Sequence, residues 1–437
     1  MLNKLHYPSF LILFGLIFGL AISHYLSFLW SKWMTILLYM ICLIWTFLIT
    51  IKQRSHLLPT QDLDKLTFFF FFLITIGLLF DSGFRGLFTG HARYFLPLLI
   101  VPYFLGRAMC RIDLIQFMRL ITYATFIMAC LLLLNYWIEI QASTRRWSFF
   151  GYDHSPLLIA NFLVISLVTF FFQPYVKKKN HWYEVINSLL LIGITCLLVW
   201  VSGRGWLLAG LITITCVTIL TFRNKVLWYR LFVVWFAAVV SIVFLKLGVG
   251  YKLLLTTPEV TFEGLNLLPP RNIFEGLSFL RPPVTGPILG EESCEPLWKG
   301  INSVAIRHIL YLEAFEVFKL SPIIGVGPGR IGFYSCNGPG GFPHATLLQA
   351  FSELGFIGGL CLLSIATYSG VSLLQYYLAS RGKNDEFLAA FAISLFLIYF
   401  IGDQIYGNFF MMPGFALMCG FAAMLNSTRK TGDKSNA

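Results

Sequence analysis

Three stretches of the 437-residue chain carry side chains suited to handling an anionic substrate. The first is Val201-Ser202-Gly203-Arg204-Gly205-Trp206, a very short turn between two apolar runs. Arg204 there either meets an anionic partner or snorkels, its stem along apolar surface and its head at lipid phosphates. The second is Arg307 in Ser303-Val304-Ala305-Ile306-Arg307-His308, at the start of a helical pattern. The macrodipole disfavours a cation at that end, yet the same end offers free N–H groups to a phosphate. The combination suits an anion site, with a solvated surface arginine as the alternative. The third is Pro343-His344, which closes the stretch Asn337-Gly338-Pro339-Gly340-Gly341 and opens a long apolar run. Proline favours a first helical turn, so His344 is expected at a helix start beside orphan N–H groups, as a structural hydrogen-bonding residue or as a catalyst.

Further ionisable residues stand at telling places. Arg145, Arg146, Asp153 and His154 share one loop, and Arg330 ends Gly325-Val326-Gly327-Pro328-Gly329-Arg330. Glu353 and Asp403 fall in or at the end of apolar helices, where an ionisable group is costly and so a functional suspect. Asp403 is equally a candidate partner for one of the arginines. The Gly325–Gly329 run lacks the Lys-Ser/Thr ending and the preceding strand of a phosphate-binding loop, so it predicts a tight turn. No C-x-x-C, H-E-x-x-H or tight carboxylate cluster occurs, so no metal and no cofactor is expected. Cys294 and Cys336 share one loop, where an oxidising compartment permits a disulfide and two free thiols are the alternative. The other cysteines lie in or beside apolar runs, as small hydrophobes.

What positions these residues is a membrane. The chain is 57% hydrophobic and 12% charged, with a mean hydropathy of +0.76, whereas soluble domains carry about 25% charged residues. Apolar runs approach the roughly 20 residues that a helix needs to cross a hydrocarbon layer. Hydropathy predicts about twelve transmembrane helices, at 8–28, 33–51, 65–80, 92–109, 115–138, 155–174, 185–201, 205–222, 229–248, 346–378, 387–402 and 408–426. The third is short, and Pro97 and Pro102 interrupt the fourth. The first run, Pro8 to Ile22, has no convincing cleavage site and reads as a retained helix. Most basic residues fall in alternate loops, among them Lys52, Arg54, Arg107, Arg111, Lys177–Lys179, Arg223, Arg230, Arg381 and Arg429. That bias puts both termini in the cytoplasm. The net charge of +12 follows the same topology, so nucleic-acid binding is not expected.

The expected organisation is therefore transmembrane helices one to nine over 1–248, an outer loop domain over 249–345, helices ten to twelve over 346–426, and a cytoplasmic tail over 427–437. Within the loop domain, Asn302 or Ser303 is a candidate N-cap. Apolar residues at Val304, Ile306, Ile309, Leu310, Leu312, Phe315 and Phe318 predict a helix that stops at Ser321-Pro322. The Pro-rich first half of the loop reads as irregular.

Taken in order, the span ending in VSGRGW, the segment AIRHILYLEAFEVFKLSPIIGVGPGRIGFY, the following PHATLLQAFSELGFIGGL and the terminal IGDQIYGNFFMMPG resemble the O-antigen ligase and polymerase superfamily of bacterial membrane glycosyltransferases. The resemblance covers roughly residues 155–426, with earlier helices agreeing in hydropathy only. It implies an all-α, GT-C-like fold in the inner membrane and an active site facing the periplasm. It also implies transfer of a glycan from undecaprenyl diphosphate to a lipid A-core sugar hydroxyl, or, for a polymerase, to a second carrier-linked glycan. The family's essential arginines carry over onto Arg204 and Arg307 and its essential histidine onto His344. Asp403 stands where the family often has an acidic residue. The Pro-rich half-loop departs from the pattern and bears on the acceptor. A transporter is the reading from another class, but no internal repeat is evident and the ionisable residues gather at the outer face.

Overall fold

The structure, a computed structural model, describes residues 62–86, 95, 99–109, 114–115, 117–119, 121–122, 148–149, 152–153, 156–173, 181–200, 204–222, 224–248, 287–290, 294, 303–336, 338, 341–383, 385–409 and 412–434. The spans expected at 8–28 and 33–51, most of 115–138, Arg145, Arg146 and most of the Pro-rich half-loop lie outside the described residues.

The described chain is helical, with α1 at Asp62–Gly86, α2 at Val101–Ala108, α3 at Pro156–Phe172, α4 at His181–Trp200 and α5 at Arg204–Leu220. It continues with α6 at Lys225–Gly248, α7 at Ser303–Leu320, α8 at Thr346–Ser380, α9 at Glu386–Tyr406 and α10 at Pro413–Lys434. Among the described residues the strands are a two-residue hairpin, Ser148–Phe149 antiparallel to Tyr152–Asp153. Among the described residues five helices are long and apolar enough to cross a membrane: α1, α4, α6, α8 and α9. Shorter apolar helices run within α3, α5 and α10. Large apolar side chains cover the outer faces, including Phe72, Leu189, Phe232, Phe236 and Leu363, as expected of protein surface that contacts lipid.

Helix α1 corrects the expectation of a short third span. It begins at Asp62, three residues before the expected start, and continues to Gly86. Asp62 and Asp64 suit its first turn because carboxylates complement the positive end of the helix dipole; hydropathy discounts those same residues. The last helix likewise continues beyond 426 to Lys434. The loop-domain helix runs from Ser303 to Leu320, ending at the expected proline boundary.

Backbone contact without intervening side chains joins α2 to α10. A Cβ on Gly106 would meet the carbonyl of Leu417, and one on Gly420 the carbonyl of Tyr103. Small residues permit this closeness between membrane helices. Beside that crossing, Asp64 pairs with Arg107 and accepts the Tyr103 hydroxyl at 2.6 Å. A second buried pair ties three helices at their loop ends. Arg230, 1% exposed, meets Glu184 of α4 at 2.6 Å and donates to the carbonyl of Phe171 in α3 at 2.7 Å.

Candidate functional site

The N-terminal end of α8 gathers three of the sequence candidates. Thr346 begins the helix, and its hydroxyl donates to the Asp403 carbonyl at 2.7 Å. The N–H of Leu347, one of the orphan donors of a first turn, donates to the Gln404 side chain at 2.9 Å. Gln349 accepts the N–H of Phe409 at 3.3 Å. The end of α9 and its exit turn thus clasp the start of α8, and a Cβ on Gly407 would strike both Thr346 and Asp403. Trp206 of α5 lies against Gly402, where a Cβ would meet the indole. Arg204, the first residue of α5, therefore stands two positions before a tryptophan that touches the residue preceding Asp403.

His344 lies just ahead of this clasp. The expectation of a proline-initiated first turn containing it needs correction: α8 starts at Thr346 with Ala345 as its extended N-cap, and His344 precedes both. Its φ is 55°, in the left-handed region that costs an ordinary side chain energy. A helix cannot begin through a residue in that conformation. The half-buried imidazole meets the Phe342 ring edge-on, with centroids 4.4 Å apart.

Asp403 is buried, and among the described residues its Oδ2 accepts no hydrogen bond. Arg307 is half-buried in the second turn of α7. That helix runs beside the start of α8 in the same direction: Phe318 meets Phe351 with ring centroids 6.0 Å apart, and Leu348 packs on the cluster of Ala314, Val317, Val326 and Ile331. The direction of α7 carries Arg307 toward the end of α8 that holds His344.

The glycine-rich turn before Arg330 serves the fold. Gly325, Gly327 and Gly329 all have positive φ, which glycine adopts without steric cost. The N–H groups of Gly329 and Ile331 donate to the Glu353 carboxylate at 2.7 and 3.3 Å, while those of Val326 and Gly327 donate to the carbonyls of Ser352 and Glu353. Glu353 is the acceptor that this turn closes around. The stem of Arg330 lies over Gly327, and its charge partly offsets the upward pull of burial on the Tyr334 phenol.

Cys294 and Cys336 are joined in a disulfide, with Cα atoms 5.3 Å apart. Glu313, which the sequence reading did not single out, is buried beside it and accepts the Ser335 hydroxyl and the Cys336 N–H, each at 2.7 Å. Burial raises its carboxyl above the ordinary range, and these two hydrogen bonds pull the other way. Cys294, Glu313 and Cys336 are the one group of potential metal donors brought together among the described residues. Their sulfurs are bonded to each other, which removes two of the three thiolates and carboxylates that a metal would require.

Nothing local singled out Glu313, which shares its helix with Arg307, His308, Glu316 and Lys319. Gln349 and Gln404 offered no signal either, since each is one polar residue in a long apolar run. No protein-family model matches the chain, and no curated protein matches it.

Proposed function

We propose that the protein is an O-antigen ligase, a metal-independent inverting glycosyltransferase of lipopolysaccharide biosynthesis. In this reading it has twelve spans and a GT-C-like fold in the bacterial inner membrane, with both termini in the cytoplasm and the site facing the periplasm. The donor is undecaprenyl-diphosphate-linked glycan, the acceptor a lipid A-core sugar hydroxyl, and the polyprenyl tail enters from the bilayer. The observation that carries the proposal is the convergence of the α5 start, the Asp403 turn and His344 at one end of the helices.

The chemistry follows from the residue types. The acceptor oxygen attacks the anomeric carbon, the bond from that carbon to the diphosphate oxygen breaks, and the configuration inverts. His344 takes the hydroxyl proton; an imidazole with an unperturbed pKa of about 6.5 suits that task near neutrality. Negative charge develops on the departing diphosphate, where fixed donors lower the barrier most. Arg204 and Arg307 supply those donors, because a guanidinium stays protonated and grips phosphate with two parallel N–H groups. Arg145, Arg146 and Arg330 are further contacts for donor or acceptor phosphates, and Asp403 orients a member of the site.

The experiment is deletion of the gene in its native host, with the lipopolysaccharide ladder and the carrier-linked glycan both analysed. Loss of the ladder with long glycan held on the carrier is expected. Single repeat units on the carrier, with at most one unit on the core, identify a polymerase that uses a second carrier-linked glycan as acceptor. In complementation, Arg204→Lys and Arg307→Lys should each lose most transfer, and full transfer should persist in excess chelator. Near-normal ladders from the lysine variants remove the arginine clamp from the mechanism.

A further inference from the structure

Helix α7 has its polarity turned the wrong way for a helix in water. The carboxylates of Glu313 and Glu316 face inward and are buried, whereas Phe315, one of the apolar residues that predict the helix, is 49% exposed. Lys319 sits over the Phe315 ring, 4.7 Å from its centroid, and pairs with Glu316 at 2.7 Å. The turn that follows continues the pattern, with Ile323 54% and Ile324 43% exposed.

The position of that turn says what it faces. Helix α8 breaks at Gly355, with φ 67° and ψ −166°. Past the break, the N–H groups of Phe356 and Ile357 donate to the carbonyls of Pro322 and Ile323, at 2.7 and 3.3 Å. From Thr346 to Leu354 no residue of α8 is exposed. From Phe356 onward an apolar stripe runs outward through Ile357, Leu360, Leu363 and Val371. The segment Phe356–Ser380 is about 38 Å long at 1.5 Å per residue, enough to cross a hydrocarbon layer of roughly 30 Å. Ile323 and Ile324 therefore stand level with the first residues of a lipid-facing stripe and extend it sideways.

We propose that the Ser321–Ile324 turn, with Phe315 and Lys319, is an interfacial anchor that docks the loop domain on the lipid bilayer. The isoleucines and Phe315 enter the acyl boundary, and Lys319 stays among the phosphates, its stem along the apolar surface. Continuity with the α8 stripe selects lipid over a second copy of the chain as occupant. The anchor is independent of which glycan is transferred.

Photo-crosslinking tests it on the full chain in proteoliposomes of radiolabelled phosphatidylethanolamine and phosphatidylglycerol. p-Benzoylphenylalanine replaces Ile324 or Phe315 in separate preparations, with Ile357 as the lipid-facing reference and Tyr334 as the loop-domain reference. Label on the chain from positions 324 and 315, at no less than one third of the position 357 yield and at least threefold above position 334, is the expected result. Yields at 324 and 315 equal to position 334, or a product with the mass of two chains in place of the lipid adduct, overturn the anchor. The position 357 yield shows in each case that the protein is inserted.

Discussion

His344 is the one residue other than glycine with a left-handed backbone among the described residues. Its side chain and its main chain can therefore be tested separately. Asparagine enters that region more readily than most residues, so His344→Asn should keep a thermal midpoint close to the parent while removing the imidazole base. Transfer should fall by about 10²–10⁴-fold, the usual worth of a general base; a variant that keeps both fold and rate would leave His344 a structural role only. Glu313 makes a prediction of opposite character. Its folded carboxyl holds its proton more tightly than the unfolded chain does, because burial raises it above 4.5. The contribution to stability is greatest below 4.5, falls as pH rises through the raised value, and then levels off. Thermal midpoints recorded against pH should show that descending limb in the parent and lose it in Glu313→Gln. Of these two residues the sequence revealed His344, by its place between a glycine-rich stretch and an apolar run. Glu313 acts through Ser335 and Cys336, more than twenty positions away, and no local pattern announces such a partner.

The break in α8 gives elements their own test. At Gly355 the backbone occupies a region that is essentially restricted to glycine, with a cost of at least about 1–3 kcal/mol for other residues. A Cβ there would also run into the main chain of Ile323. Gly355→Ala should lower the thermal midpoint sharply or prevent accumulation of folded protein. Gly193, mid-helix in α4 with nothing near its missing Cβ, is the matched control, and Gly193→Ala should gain about 0.5–1 kcal/mol. Similar midpoints for the two variants would mean that the break carries no structural weight. Helix positions were largely legible, since long apolar runs such as 346–378 and 229–248 identify themselves. The direction in which a helix faces was not. For α7 the period of apolar residues marks a face without saying whether protein or lipid covers it, and Phe315 turns outward. Arg230 was hidden for a related reason: it counted with the cytoplasmic charges until Glu184 and the Phe171 carbonyl, from two other helices, accounted for it.

At the scale of the molecule, the glycine crossing of α2 and α10 joins the early part of the described chain to its last helix. Gly420→Leu would push the Tyr103 carbonyl and the Arg107 backbone away, disturbing the Asp64 pair beside them. A large loss of midpoint, of the 1–3 kcal/mol order typical of overpacking, is expected in detergent; an unchanged midpoint would show that the crossing yields easily. The crossing also bears on how the protein is made. About 300 residues separate its two sides, and at roughly 5–20 residues per second the ribosome takes on the order of 15–60 s to deliver the second. Through that interval α2 waits with its backbone groove unfilled and the Asp64–Arg107 pair beside it. Assembly of the early helices is thus completed from the far end of the message, and any lesion that stops translation before Pro413 leaves that groove permanently unfilled.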